Sequence, residues 1–166
     1  HEQDFNQDVK AAWNYRYSLK GFIYGTRPIP FLVDSIPYLP KNGKVLDLAM
    51  GEGRNGVFLA KLGYDVLGVD ISEVGLKKAE ELARKNKTQI KTQVADLGSF
   101  EMEPNSYDII IMSYYMGREL FPKIKRALKK DGVAIIETNT EEHMKYNPTI
   151  KPEWMLKKNE LFEHFS

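Results

Sequence analysis

Cysteine is absent from the 166 residues. That removes disulfides, thiolate zinc sites and cysteine nucleophiles, and it suits a reducing, cytoplasmic setting. Long apolar runs are missing too. No stretch approaches the ~18 apolar residues that cross a bilayer, so no membrane partner is expected. The first residues show no signal-peptide core. Charge of one sign is also lacking: 24 Lys and Arg stand against 23 Asp and Glu, a formal net charge of +1. Basic residues gather only in pairs such as Lys77-Lys78 and Lys129-Lys130, so nucleic acid is not an expected partner. Histidine is limited to His1, His143 and His164, and none falls in a recognisable motif. There are no internal repeats or low-complexity tracts. The chain opens on His1 rather than Met, which suggests a tag remnant or a trimmed start.

What is present is a globular balance, 42% hydrophobic and 28% charged, of a size for one domain. From about Lys44 onward, short apolar runs alternate with amphipathic stretches. Residues 45–50 read as a buried strand, 51–56 as a turn, and 57–62 as a helix ended by Gly63. Residues 65–70 form a second strand. Ser72 is a candidate N-cap for a helix to about Asn86, with acids toward its start and bases toward its end. Further strands are expected at 90–95 and 107–112, and a helix at 118–128. Asp131-Gly132 reads as a turn before a fifth strand over 133–137. This rhythm predicts an α/β fold with a parallel sheet covered on both faces.

The first 42 residues differ. They are rich in aromatics (Phe5, Trp13, Tyr15, Tyr17, Phe22, Tyr24, Phe31, Tyr38) and hold four of the eight prolines. A helix is expected at 6–19, a turn at Tyr24-Gly25-Thr26 and a short helix at 30–38. The segment reads both as a helical layer packed on the sheet and as a lid over a ligand crevice; the two are compatible.

Gly51-Glu52-Gly53-Arg54-Asn55-Gly56 matches G-x-G-x-x-G between a strand and a helix. Glycines permit a tight turn and a close ligand approach. Alone, the pattern suggests a dinucleotide site, or merely a turn. Asp47, Asp70 and Asp96 lie near the ends of three successive strands, so their carboxylates should rim one crevice at the carboxyl edge of the sheet. Asp70, about 20 positions after the glycines begin, suits the two hydroxyls of a ribose. A diphosphate would meet Asp47 unfavourably. S-adenosylmethionine has no phosphate and carries a sulfonium and an ammonium, so an acid-lined, partly buried crevice prefers it.

At these residues the sequence resembles the class I S-adenosylmethionine-dependent methyltransferases. The matching stretches are VLDLAMGEGRNGVFLA (45–60), VLGVDIS (66–72), TQVADLGSF (92–100), YDIIIMSYY (107–115) and LKKDGVAIIE (128–137). Within that class it is most similar to the tellurite-resistance type of small-molecule methyltransferase, through WNYRY (13–17), YGTRPIPFLVDSIPYLP (24–40) and GEGRN. The resemblance implies one domain over 1–166: an N-terminal helical lid (1–42) and a Rossmann-like, doubly wound, mostly parallel core (43–166) with strand order 3-2-1-4-5. It implies that Asp47 and the backbone of Ala49, Gly51 and Gly53 hold the methionine part of the cofactor. Asp70 and Ile71 would hold the ribose and flank the adenine, and Asp96 with Leu97 would meet its amino group. Met112 or Ser113 would line the sulfonium region. Trp13 and Arg16 would come from the lid, with Arg16 a candidate for the methionine carboxylate. Arg54 is either a further ligand or a solvent-facing residue at a helix start.

Two departures stand out. Met50 replaces the Cys or Gly common in the family, a change that a flexible side chain can absorb. The residues also run out before the antiparallel hairpin that ends the usual seven-stranded sheet; 154–165 resembles the preceding helix. Strand five would then be a long apolar edge. A symmetric dimer, a swapped segment or a partner protein is expected to cover it, unless the chain is simply shortened. The expected activity is methyl transfer to a small molecule, a thiol or chalcogen oxyanion among the candidates. No catalytic base is identified; His143 is the histidine nearest the expected crevice, and Tyr24, Tyr114 and Tyr115 are candidates to close it. The alternatives are a cofactor-binding but inactive subunit and, more distantly, an NAD-dependent oxidoreductase.

Overall fold

The computed structural model describes residues 2–115 and 117–138. The elements run α1 (Glu2–Ser18), α2 (Pro30–Ser35), β1 (Lys44–Leu48), α3 (Arg54–Lys61), β2 (Asp65–Asp70), α4 (Glu73–Lys85), β3 (Lys91–Val94), β4 (Tyr107–Ser113), α5 (Phe121–Ala127) and β5 (Leu128–Glu137). Single 3-10 turns extend α2 over Ile36–Tyr38 and lead into α5 over Arg118–Leu120. The histidines His1, His143 and His164, and the expected helix over 154–165, lie outside the described residues. Among those described, no helix is long and apolar enough to cross a membrane.

All five strands are parallel and lie in the order β3-β2-β1-β4-β5. This is the expected Rossmann-like order. The chain winds outward from β1 to β3, then crosses back to β4 on the other side. Strand order therefore reverses beside β1, and the crevice at the carboxyl ends of β1 and β4 is where such sheets take ligands.

Register decides which side chains share a face. Asp47 aligns with Gly68 and Ile111, and Leu48 with Val69 and Met112. Side chains alternate along each strand. Val45, Val66, Ile109, Ile111 and Ile135 therefore enter one core, with Leu59 of α3, Leu76 and Ala79 of α4, and Ile29, Leu32 and Leu39 of the N-terminal layer. Leu46, Leu48, Val69, Ile110 and Met112 enter the other, beneath Phe121, Ile124 and Ala127 of α5. Burial on both faces explains the near-continuous apolar strands. Each fully buried Ile or Leu contributes roughly 1.5–3 kcal/mol.

The helices follow local rules. In α4, the Ser72 hydroxyl accepts from the Gly75 amide, Glu73 sits in the first turn, and Arg84 and Lys85 lie in the last, where the helix dipole favours each charge. In α1, Asn6, Val9, Lys10, Trp13, Asn14 and Tyr17 turn inward while their neighbours are exposed. That is a spacing of three and four, one helical face.

Three boundaries differ from expectation by three residues or more. Helix α1 begins at Glu2, four residues early. Helix α3 begins at Arg54, three residues early, so Gly56 belongs to the helix and not to the turn. Asp131-Gly132 does not precede the fifth strand but bulges within it. Tyr107 aligns with Leu128 and Ile109 with Val133, so two steps along β4 face five along β5. Asp131 takes a left-handed φ of 65° to absorb the excess.

Candidate functional site

A cavity of about 250 Å³ opens at the reversal point. Its walls come from four strand tips and the N-terminal layer. The turn after β1 gives Ala49, Gly51 and Glu52, with Arg54 and Asn55 behind it; β2 gives Asp70 and Ile71. The stretch after β3 gives Asp96 and Leu97, and the end of β4 gives Ser113, Tyr114 and Tyr115. Trp13, Tyr17 and Tyr24 close it from the N-terminal side. Of the site residues expected from sequence, Trp13, Ala49, Gly51, Asp70, Ile71, Asp96, Leu97 and Ser113 thus meet at one cavity.

The turn is built by left-handed backbone. Ala49, Gly51 and Gly53 have φ of 57°, 58° and 90°. An alanine there carries local strain, which tends to concentrate at ligand sites. Gly53 forms the N-cap of α3, and a Cβ on it would come within 2.6 Å of the Ala79 Cβ. Its place is structural; it does not line the cavity. Asp70 fastens the turn to β2: Oδ2 accepts from the Gly51 amide at 2.8 Å and Oδ1 from the Ser72 amide at 2.9 Å. Burial raises the Asp70 pKa, and the amides of Ser72, Gly51 and Ile71 oppose that shift. Asp96 accepts from the Gly98 amide through Oδ1 at 2.9 Å.

Asp47, Met112 and Arg16 stand elsewhere. Asp47 shares the face of Val45, so its carboxylate points under α3, one layer below the strand tip. It is 2% exposed, and Oδ2 has no hydrogen-bond partner. Burial pushes its pKa up to about 7; the Gly56 amide opposes this, the Asp70 charge adds to it, and Arg54 lowers it. Met112 falls on the opposite face, under α5, because alternation gives Ser113 the crevice side. Arg16 is taken up by aromatic rings, its guanidinium 5.4 Å from the centroids of both Trp13 and Tyr24. Met50 packs below the turn, where its side chain fills the space that a Cβ on Gly56 or Gly68 would need.

The N-terminal layer is pinned at three places. Lys10 pairs with Glu73 at 3.0 Å, and the Ser72 hydroxyl donates to Asn14 Oδ1 at 2.6 Å, which seats α1 on α4. Glu52, buried in the glycine turn, accepts from the Ile23 amide at 2.8 Å and pairs with Lys78 at 3.2 Å. Lys78 also donates to the Leu19 carbonyl at 2.8 Å and to that of Gly21. Asn55 accepts from the Ile29 amide at 2.9 Å and donates to the Ser113 hydroxyl at 3.1 Å. Sequence reasoning passed over Glu52, Asn55 and Tyr17. A signal existed for the first two: an acid and an amide inside an otherwise buried turn need partners. Tyr17 stacks on Trp13 at 5.4 Å, and its hydroxyl lies against Gly51. Burial, then the charge of Asp70, raises its pKa.

Residues 45–132 match a family model described as a methyltransferase domain. Over 90 residues the chain is 34% identical to a probable S-adenosyl-L-methionine-dependent methyltransferase, TehB, of Haemophilus influenzae, covering 52% of this chain and 31% of that protein. It is 29% identical over 143 residues to a tRNA (uracil(54)-C(5))-methyltransferase of Pyrococcus horikoshii, covering 78% of this chain and 34% of that protein. The chain therefore spans about a third of the length of these curated relatives. A solved S-adenosylmethionine-dependent methyltransferase from Mesorhizobium loti superposes with a TM-score of 0.59 at 28% identity, covering 69% of this chain and 54% of that one.

Proposed function

Because the chain belongs to the methyltransferase-domain family, among the class I S-adenosylmethionine-dependent methyltransferases, we propose that it moves a methyl group from S-adenosyl-L-methionine to a small-molecule acceptor, a thiol or chalcogen compound. One observation carries the choice of cofactor. The Gly51 amide, which a dinucleotide diphosphate would need, is already held by the Asp70 carboxylate. The Gly53 amide is spent on the Met50 carbonyl at 3.1 Å. What the tips of β2 and β3 present to the cavity is the negative charge of Asp70 and Asp96, suited to a cation and to ribose hydroxyls.

The residues fit the adenosyl methyl donor. Asp70 Oδ2 accepts from the Gly51 amide and Oδ1 from the Ser72 amide, and the carboxylate keeps acceptor capacity for a ribose hydroxyl. Asp96 Oδ1 is engaged by Gly98, which leaves Oδ2 for an adenine amino group, with Leu97 and Ile71 as apolar flanks. When bound, the cofactor supplies a methyl carbon already activated by the sulfonium. Among this chain's residues, the main tasks are orientation and exclusion of water. Tyr17, Trp13 and Tyr24 exclude water from above; Ser113, held by Asn55, fixes the β4 side. A thiol or chalcogen anion is itself nucleophilic and needs little help from a base. No histidine stands at the cavity among the described residues.

Calorimetric titration with S-adenosylmethionine and with NAD, followed by turnover of labelled methyl donor over a panel of thiols and oxyanions, tests this reading. Asp70→Ala should weaken cofactor binding roughly 10- to 100-fold, as expected for two hydrogen bonds to a charged group. Tight NAD binding without any response to S-adenosylmethionine would refute the proposal.

A further inference from the structure

The cavity is not uniformly acidic. Asp70 and Asp96 lie on the β2 and β3 side of β1, whereas Arg54, the one cation lining the cavity among the described residues, stands toward β4. Arg54 is the first residue of α3, where the helix dipole disfavours positive charge. Its one hydrogen bond among the described residues runs from Nη1 to the Tyr24 carbonyl at 3.5 Å, and no ion pair among them includes it. The guanidinium lies near two rings, 6.0 Å from the Tyr24 centroid and 5.9 Å from that of Tyr114. Both rings are about half exposed at the cavity mouth. A guanidinium carries five N–H donors, and the contact with the Tyr24 carbonyl uses one of them. Tyr114 is held in place unusually firmly: its amide donates to the Glu137 carbonyl, its hydroxyl donates to Glu137 Oε1 at 3.1 Å, and its φ is 54°. A strained non-glycine residue at a strand tip, presenting a ring beside a cation that makes no ion pair among the described residues, reads as a built receptor.

We propose that Arg54, near Tyr24 and Tyr114, binds an anionic group on the methyl acceptor, and that the acceptor is a flat, carboxylate-bearing molecule whose ring lies against the two tyrosines. This rests on the methyltransferase reading and narrows its acceptor. The guanidinium fork matches a carboxylate with two parallel hydrogen bonds. Arg54 lies on the side of the cavity away from Asp70 and Asp96, so an acceptor carboxylate held there is kept clear of both protein carboxylates. Arg54, rather than the ring-bound Arg16, is the cation the cavity offers to a carboxylate.

The test is calorimetry on the full chain, with and without saturating S-adenosylhomocysteine, using 4-mercaptobenzoate and its neutral counterpart 4-mercaptobenzamide. The wild type should bind the benzoate at least about tenfold more tightly. Arg54→Gln should abolish that preference, Arg54→Lys should keep part of it, and both should bind S-adenosylhomocysteine within about threefold of the wild type. Thermal midpoints check that the variants fold. Equal binding of the two thiols, or of neither, to the wild type overturns the proposal. So does an Arg54→Gln variant that loses S-adenosylhomocysteine but keeps 5′-methylthioadenosine, since Arg54 would then hold the amino-acid end of the cofactor. Failure of the wild type to bind S-adenosylhomocysteine would instead sink the methyltransferase reading, and the titrations without it would still decide whether Arg54 is an anion receptor.

Discussion

Asp47 sets the limits of what a single residue can be expected to do. It is sealed under α3 with one oxygen unpartnered, and burial holds its pKa near 7. An acid whose pKa is higher folded than unfolded binds more protons in the native state. Its contribution to stability is full below the unfolded value, near 3.8, and is lost as pH rises to about 7. Relative to Asp47→Asn, the wild type should therefore lose stability between about pH 4 and pH 8, by up to about 4 kcal/mol. Urea midpoints of both proteins across that range measure the difference; a constant gap would contradict the buried-acid account. The sequence places this carboxylate at the crevice rim, because it lies near a strand end. Alternation along β1 instead puts Asp47 on the α3 face with Val45, and the β1–β4 register puts Met112 on the α5 face and leaves Ser113 to the crevice. What composition and spacing could not reveal is that Arg16 is held by two aromatic rings, because that depends on where α1 docks.

Among the elements, the N-terminal layer is the one whose role the structure sharpens. The glycine turn does not only approach a ligand; through Glu52 and Asn55 it grips the segment above it. Glu52 is 3% exposed at its side chain and Lys78 18%, so the pair is shielded from water more than a surface ion pair. Glu52→Ala should release the Ile23 and Tyr24 amides, with a cost of roughly 1–3 kcal/mol. Hydrogen exchange at those two amides should quicken about tenfold or more, and S-adenosylhomocysteine should dissociate faster. Lys78→Met should act in the same direction, because it strands Glu52 in the turn with amide donors alone. Unchanged exchange in both variants would show that α1 and α2 hold the layer without this latch. The alternating strands and helices were readable because two-sided burial leaves continuous apolar runs. The start of α3 and the bulge in β5 were not: glycine marks a bend in both cases, but sequence alone does not say whether the element ends or continues through it.

At the scale of the whole molecule, charge separates two kinds of acceptor that the relatives leave open. The tRNA methyltransferase of Pyrococcus horikoshii is named for a nucleic-acid substrate, whereas this chain is nearly neutral, at +1, with acids and bases interspersed. Nucleic-acid affinity is dominated by release of counterions from phosphates by Lys and Arg, and it falls steeply with salt. Among the described residues the cavity offers one arginine beside Asp70 and Asp96, so a phosphate backbone laid across its mouth would meet Asp96 as well as Arg54. A small acceptor held at Arg54, as proposed, would avoid that conflict. Bulk tRNA should therefore bind this chain more weakly than about 0.1 mM at physiological salt, with a salt slope equivalent to no more than about two phosphate contacts. Fluorescence anisotropy with labelled tRNA over a salt series measures both quantities. A steep slope with micromolar affinity would move the proposed acceptor from small molecules to nucleic acid, and Trp13, Tyr17 and Tyr24, which line the cavity, would then have to leave room for a flipped base.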